Sequence, residues 1–275
     1  MSDLLRRRFR DKLPPRPQPM PKQPAAAASE QRTVPPDSLR VIDLDHALVP
    51  DAESLNSRFA PDRPLIRITL ALGSELSSRS RPLDAEERGR LLALCPYLPL
   101  HGCGAEGGIL DLLSPLGNPQ CDAGATANGG DGMTTAHLIE HVALDLAATA
   151  GGGVPLAGAT CSHADDPALF DVFLQCEDPH LGRAMALLAA AAVRDLGSET
   201  DRTITHTHSA SLLADLVGAR KPHIVPEDVA DRRGWTLEQA RIALEELVRL
   251  DFLEPVRAPL TFSSRGDLLF RRCRS

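Results

Sequence analysis

The stretch TTAHLIEHVALDLAATA, which runs from Thr134 to Ala150, has the most pronounced helical pattern in the chain. Its apolar residues Leu138, Val142 and Leu146 recur every four positions, and such a stripe is typical of a helix that packs on a sheet. A threonine at either of the first two positions can cap this helix, and the three glycines that follow it favour its end. The stretch therefore predicts a helix that is seated on a sheet by one face.

Two histidines and a glutamate lie on that helix in the pattern H-x-x-E-H. Because His137 and His141 are four residues apart, both imidazoles project from one face about one turn apart, which lets them bind the same zinc ion. Glu140 lies beside them, where its carboxylate can accept a proton from water instead of binding the metal. The order is the reverse of the zincin motif and is found in inverzincins. The same pattern also fits two histidines that only form hydrogen bonds on a partly exposed face.

The segments around this helix predict an α+β domain, with a small mixed sheet and packed helices, one of which carries H-x-x-E-H. The strand pattern is clearest in LIRITLALG, Leu65 to Gly73, where alternate residues place an apolar row on one face. Asp84 is positioned to cap a short helix that Pro96 then ends. The other predicted elements are strands near Val154–Cys161 and Ala168–Gln175 and a helix from about His180 to Leu196.

The two ends of the chain differ from this central region, which we place at residues 41–198. Residues 1–40 hold nine lysines and arginines, four acidic residues and eight prolines, which predicts a disordered basic arm. Residues 199–275 show helices followed by a hairpin, an order that predicts a winged-helix-like domain. Its predicted helices cover 209–217, 226–234 and 236–250, and its hairpin strands cover 253–256 and 260–263.

The helix of this last domain that would enter a DNA groove is rich in acidic residues. It carries Glu238, Glu245 and Glu246 against two arginines, a poor complement to phosphate. Aromatic residues make up only 3% of the chain, too few for stacking platforms on single-stranded nucleic acid. Nucleic acid is therefore disfavoured as a partner.

Composition and charge describe a folded protein without a membrane-spanning segment. The 275 residues are 43% hydrophobic with a net charge of −7, which excludes collagen-like, coiled-coil and wholly disordered chains. No apolar run approaches eighteen residues and the N-terminus lacks the apolar core of a secretory signal, so we expect a cytoplasmic protein. The six cysteines form no C-x-x-C pair, which disfavours a disulfide scaffold or a zinc finger.

Several histidines and cysteines fit structural roles. His163, His206 and His208 lie in polar stretches, and we expect the last two to belong to a solvated loop. Three cysteines are predicted to pack as small hydrophobic side chains. They are Cys95, Cys161 and Cys176.

The stretch from Leu65 to about Leu196, roughly half of the chain, resembles the N-terminal domain of cyanophycin synthetase, the enzyme that makes an arginine-decorated polyaspartate storage polymer. The resemblance rests on an ordered series of short motifs, which is more specific than H-x-x-E-H alone. These motifs are His101-Gly102-Cys103, Gly107-Gly108-Ile109, Gly132, His137 to His141, Val142 to Leu146, Ala150-Gly151, Gly158 to Thr160 and Phe170 to Leu174. The ATP-grasp and Mur-ligase-like parts of the synthetase have no counterpart in the sequence, so polymer synthesis is not expected.

The resemblance implies a zinc-dependent metallopeptidase-type hydrolase that cuts the backbone peptide bonds of cyanophycin into shorter chains. In some synthetases this domain is similar to a metallopeptidase and trims the polymer into primers. The resemblance implies that His137 and His141 are zinc ligands and that Glu140 is the general base. Substrate-binding residues stay unassigned, because Gly158-Ala159-Thr160 stands where the synthetase domain usually has Gly-Arg-Thr, and the guanidinium that could bind a carboxylate is missing.

A catalytic zinc normally takes three protein ligands, so a third must come from elsewhere in the chain. We favour Cys103, which retains the family's H-x-C element and would complete a site of two imidazoles and a thiolate. His101 is the next candidate, although in an extended segment the two side chains lie about 7 Å apart. Glu177 would give two histidines and a carboxylate. Asp145, about 12 Å from His137 along the helix, is too far to bind the same ion but can orient His141 through a hydrogen bond.

A different class of function also fits the sequence. In this alternative the protein is a non-catalytic module that binds the polymer or nucleic acid through a degenerate synthetase-like domain. The presence of Glu140 favours the hydrolase, because a docking surface needs no base. The partner that we expect is therefore cyanophycin itself, with no membrane partner, and the sequence is compatible with a homo-oligomer.

Overall fold

A four-stranded antiparallel sheet lies at the centre of the fold. The computed structural model describes residues 38–49, 52–74, 76, 83–100, 134–151, 157–176, 178–196, 202–219, 223–256 and 261–264. The strands are β1 (Leu39–Ala47), β2 (Leu65–Leu72), β3 (Ala157–Ser162) and β4 (Leu169–Gln175), in the order β1-β2-β4-β3. The predicted sheet was mixed, but each of its pairings is antiparallel, because short connections such as the one from β3 to β4 join antiparallel neighbours.

One face of this sheet is largely apolar and is covered by helices. In β2, alternate residues from Ile66 to Leu72 are fully buried, as the alternation predicted. Phe170, Val172 and Leu174 of β4 lie directly opposite them and are buried as well. Directly opposite residues of an antiparallel pair point to the same face, so the two rows form one continuous apolar surface on which the helices pack.

Six helices are present among the described residues. They are α1 (Ala85–Leu94), α2 (Thr135–Gly151), α3 (Pro179–Leu196), α4 (Thr203–Ala219), α5 (Pro226–Arg233) and α6 (Leu237–Arg249). Most begin and end close to their predicted bounds. Asp84 caps α1 through a capping box with Glu87, as its position predicted. The exception is α4, which begins six residues before the predicted helix at 209.

Helix α2 carries H-x-x-E-H and lies in the middle of the fold. It packs on β3 and β4 on one side and on α3 and α4 on the others. Every residue from Leu138 to Ala147 is buried. The helix is therefore buried on all sides over this stretch, whereas the sequence pattern predicted one buried face. Small side chains explain the difference, since Ala136, Ala143 and Ala147 let neighbouring helices approach closely.

The C-terminal elements continue the same core. Helix α4 packs on α1, α2 and α3 and also on α6, and one cluster of buried apolar side chains extends from Leu39 to Leu253. Beyond α4, strands β5 (His223–Ile224), β6 (Leu253–Val256) and β7 (Thr261–Ser264) form a small antiparallel sheet in the order β5-β7-β6. Among the described residues, no helix is long and apolar enough to cross a membrane.

Candidate metal centre

The two histidines of H-x-x-E-H point at the same place. Their Nε2 atoms lie 3.1 Å apart and their ring centroids 4.8 Å apart. Two nitrogens that bind one zinc tetrahedrally at about 2.0–2.1 Å lie about 3.3 Å from each other. The imidazoles of His137 and His141 are therefore placed within a few tenths of an ångström of a shared ligand geometry, and the predicted convergence of these side chains is observed.

The start of α2 fixes the backbone beneath the first of these imidazoles. The hydroxyl of Thr134 accepts a hydrogen bond from the backbone N–H of His137 at 3.2 Å, the contact expected of a helix cap. Burial lowers the pKa of His137 to about 4, so its imidazole is neutral near pH 7. A neutral imidazole has a lone pair for a metal ion.

The glutamate of the motif shares the site with the two imidazoles. One carboxylate oxygen of Glu140 and one ring nitrogen of each histidine lie within 4.8 Å of one another. The carboxylate is almost fully buried, and burial raises its pKa to about 7. The hydroxyl of Thr160 on β3 donates a hydrogen bond to Glu140 Oε2 at 2.5 Å, which favours the charged form and partly opposes this rise.

A glycine of β3 makes room for this carboxylate. A Cβ atom built on Gly158 would lie 2.5 Å from Glu140 Oε1 and 2.7 Å from its Cγ, so the position cannot hold a side chain unless Glu140 moves. The carbonyl of Gly158 accepts a hydrogen bond from Asn56 Nδ2 at 2.7 Å. The sequence pattern predicts no role for Asn56 or for these contacts of β3; the sign that it offers is the run of small residues at 157–159.

Asp145 links helix α2 through hydrogen bonds to the turn at Tyr97 and Leu98, which precedes the predicted ligands His101 and Cys103. Its carboxylate accepts hydrogen bonds from the backbone N–H groups of Tyr97 and Leu98, and Thr149 Oγ1 lies 3.5 Å from it. Burial raises the pKa of Asp145 to about 6 despite these bonds. The turn leads into His101 three residues after Leu98, which a chain covers in at most about 10 Å.

The predicted third ligands lie outside the described residues. Cys103, His101 and Glu177 are all in segments that the structure does not describe, so the choice among them stays a prediction.

A second group of histidine and carboxylates lies where α3, α4 and α6 meet. His206 Nε2 is 3.3 Å from Asp195 Oδ2, and its Nδ1 is 3.6 Å from Glu246 Oε1. Arg249 lies 3.0 Å from Asp195 and 2.6 Å from Glu246, and Arg202 lies 3.1 Å from Glu246. Three of these side chains could hold a metal by distance alone, but guanidinium groups already occupy the carboxylates.

These ion pairs outweigh the effect of burial on the pKa values of the two carboxylates. Burial by itself would raise the pKa of Asp195, but contact with His206 and the charge of Arg249 lower it to about 2. The pKa of Glu246 is lowered for similar reasons. A divalent ion here would have to displace or approach cations, so this group is an ionic junction between helices rather than a metal site.

The structure tests the structural roles that were predicted for two histidines and three cysteines. His206 and His208 lie within α4, not in a solvated loop: the first is buried and the second stacks on Trp235 with ring centroids 4.0 Å apart. Cys95 and Cys176 are buried free thiols, as predicted, whereas Cys161 is partly exposed.

No protein-family model matches the chain, and no curated protein matches it at a significant level.

Proposed function

We propose that this protein is a zinc-dependent hydrolase of amide bonds, with Glu140 as its general base. The observation that carries the proposal is the 3.1 Å separation of the two Nε2 atoms beside a carboxylate. His137, His141 and a third ligand, for which we favour Cys103, would hold the ion. The donor set is one that zinc prefers, and the lowered pKa of His137 leaves its imidazole with a lone pair for the ion.

A zinc ion held by these residues would polarise the scissile carbonyl and make water a stronger acid. The protein's own residues would transfer the proton. Glu140 would accept a proton at a carboxylate oxygen during the attack and return it to the nitrogen of the leaving amine. Thr160 keeps that carboxylate at a fixed position, and burial holds its pKa close to neutrality, where a base can both take and release a proton.

The substrate that we propose is cyanophycin, cut in its polyaspartate backbone. Support comes from the ordered motifs between Leu65 and Leu196 that resemble the synthetase domain. The chain carries a net charge of −7, and this acidic surplus suits an arginine-rich polymer. The products would be shorter chains of the same polymer.

The direct test follows polymer length and metal content together. Purified wild-type protein, Glu140→Gln and Glu245→Gln are analysed for zinc by elemental mass spectrometry and are then incubated with cyanophycin on a length-resolving gel. We expect about one zinc per chain in all three, and shortening by the wild type and by Glu245→Gln. Loss of the base should slow cleavage about 100-fold to 10,000-fold.

Glu245 is the matched control because it is an exposed glutamate on α6, 3.8 Å from Arg241 and away from the histidine pair. Equal cleavage by wild type and Glu140→Gln would contradict the role of the base. Intact polymer in the presence of the zinc-loaded wild type would contradict the proposed substrate.

The second candidate is a non-catalytic module that binds the polymer. One observation favours it: Glu140 is almost fully buried and bonded to Thr160, as a purely structural carboxylate would be. In that case wild type and Glu140→Gln would both retain cyanophycin in a pull-down without shortening it. The same gel therefore separates the two functions.

We also propose that residues 199–275 form a winged-helix-like module that contacts protein rather than nucleic acid. Support comes from the order α4-β5-α5-α6-β6-β7 and the sheet order β5-β7-β6. On α6, Arg241 is 3.7 Å from Glu238 and 3.8 Å from Glu245, so its charge is balanced. Titration with random duplex DNA at low salt should show no binding, and tight salt-dependent binding would overturn this assignment.

A further inference from the structure

The outer edge of β3 presents backbone groups to whatever lies beside it. Among the described residues, β3 pairs on one side only, with β4. The backbone N–H of His163 donates to the carbonyl of Leu169 at 3.0 Å, in register with the ladder. In an antiparallel pair, hydrogen-bonded and non-hydrogen-bonded positions alternate, so the residues at 157, 159 and 161 bond to β4. Gly158, Thr160 and Ser162 then direct their N–H and C=O groups outward.

A second contact agrees with this assignment. The carbonyl of Gly158 accepts its hydrogen bond from the side chain of Asn56, at 2.7 Å, as an outward-facing carbonyl can. Gly158 and Thr160 are partly exposed and Ser162 is exposed. Asn56 already occupies the carbonyl of Gly158, so the groups that a further strand can bond are the N–H of Gly158 and the N–H and C=O groups of Thr160 and Ser162, over a span of about 13 Å.

The same strand also borders the candidate metal centre. The side chain of Thr160 points to the helix-covered face and bonds Glu140, while its backbone groups point to the open edge. A chain added to this edge would lie about 4.8 Å from β3. It would therefore run alongside the base and the two imidazoles.

We propose that the extended backbone of a polypeptide substrate adds to the β3 edge as a further strand, with Gly158, Thr160 and Ser162 as its hydrogen-bonding partners. This inference rests on the proposed hydrolase function and adds how the substrate is held. Recognition through backbone amides is suited to a polymer whose every residue is alike, because each shift by two residues restores the same bonds. Substrates much shorter than about five residues would lose part of the contact.

The test measures residue-resolved amide hydrogen exchange by NMR. The sample is the full-length Glu140→Gln variant loaded with zinc. Because this variant lacks the proposed base, cyanophycin chains of about ten residues stay intact during the measurement. We expect exchange at the N–H groups of Thr160 and Ser162 to slow at least about tenfold on addition of the polymer. The N–H groups of Ala159 and Cys161 already bond to β4, so their exchange should not change.

A pair of variants checks the same edge in wild-type turnover. Ser162→Pro removes one outward N–H without touching the ladder to β4. Asp165→Ala, at an exposed position in the turn between β3 and β4 that carries none of the proposed bonds, is the control. We expect Ser162→Pro to raise the KM for cyanophycin about threefold to tenfold with little change in kcat, and Asp165→Ala to match the wild type. The thermal midpoint of each variant shows whether the fold is kept.

The outcomes separate this inference from the proposed function. If the wild type cleaves cyanophycin but neither exchange nor KM changes as stated, the β3 edge is not the binding strand and the hydrolase stands. If zinc-loaded protein neither cleaves nor binds the polymer, the hydrolase proposal fails. If Thr160 and Ser162 are protected without polymer and the protein sediments as a dimer, a second copy occupies the edge and the inference is overturned.

Discussion

The fold contains two buried groups of histidine and carboxylate that differ in their partners. In the candidate metal centre, His137, Glu140 and His141 converge, and within the described residues no ion pair reaches the carboxylate. In the ionic junction formed by Asp195, His206 and Glu246, three arginines contact the carboxylates. The pKa of Glu140 is raised to about 7, whereas that of Asp195 is lowered to about 2.

The contrast shows that residue type and spacing alone do not define a metal site. Both groups place donor atoms within 4.8 Å of one another. In the first, the positive charge that would stabilise the buried carboxylate is not supplied by the described residues, and a bound cation would supply it. In the second, Arg249 and Arg202 already do so. The first group is therefore suited to a metal and the second to holding helices together.

Removing the histidines of each group should separate these roles most sharply. We expect His137→Ala/His141→Ala to lower bound zinc from about one equivalent to none, because two of the ligands are lost. His206→Ala removes a histidine of similar burial and should keep the full equivalent. Elemental mass spectrometry of the dialysed proteins measures both. Zinc loss on removal of His206 would show that the ionic junction, not H-x-x-E-H, binds the metal.

We expect the next largest effect on activity from a substitution at Gly158, which lies close to Glu140. In Gly158→Ala the new Cβ would displace the flexible carboxylate, so function should suffer more than stability. We expect kcat for cyanophycin to fall about 100-fold, the size of effect seen when a catalytic group moves by about 1 Å, with zinc content unchanged. Gly89→Ala on α1 is the control, since nothing lies within 4 Å of its Cβ.

That control should keep full activity and gain slightly in stability, because alanine is favoured over glycine in a helix by about 0.5–1 kcal/mol. Activity of Gly158→Ala at the wild-type level would mean that the position of Glu140 is not critical, which would contradict its role as the base.

Local sequence pattern predicted much of this structure. The helix at Thr134 to Ala150 and the strand at Leu65 were found because their apolar residues keep a regular period. Strand β1 was missed, and its first residues, Leu39 and Arg40, had been included in the disordered arm. A bulge between Val41 and Asp43 shifts its register, so the period-two alternation that marks a strand is broken.

Long-range contacts were the part that sequence pattern could not supply. The convergence of the two imidazoles was predictable because a helix fixes it locally. The bond from Thr160 to Glu140 joins β3 to α2, and no local rule pairs them. His206 was misassigned for the same reason, since its polar neighbours indicate exposure while its buried partners, Asp195 and Glu246, come from other helices.

The arginine partners of the ionic junction predict a smaller effect on stability. Arg249→Met leaves Asp195 and Glu246 with one cation fewer in a buried position, which we expect to lower the free energy of unfolding by about 2 kcal/mol, below the 3–5 of a fully buried pair because the arginine is partly exposed. Arg241→Met on the same helix breaks only exposed pairs and should cost less than about 1 kcal/mol. Urea unfolding measures both, and equal losses would show that the junction contributes no more than a surface pair.

The smallest expected effect is a shift in acid stability, and its sign follows from the lowered pKa values at the junction. Because Asp195 titrates at about 2 in the fold and near 3.9 in an unfolded chain, its contribution is present above about pH 4 and is lost as the pH falls towards 2. The lowered pKa of Glu246 acts in the same direction. In Arg249→Met both pKa values should rise, so the loss begins at a higher pH, by less than about one unit. Unfolding midpoints measured from pH 7 to pH 2 would reveal this displacement. If the unfolding midpoints of wild type and variant fall together as the pH is lowered, then His206, Arg202 and Arg194 suffice to hold the carboxylates ionised, and the ionic junction does not depend on Arg249.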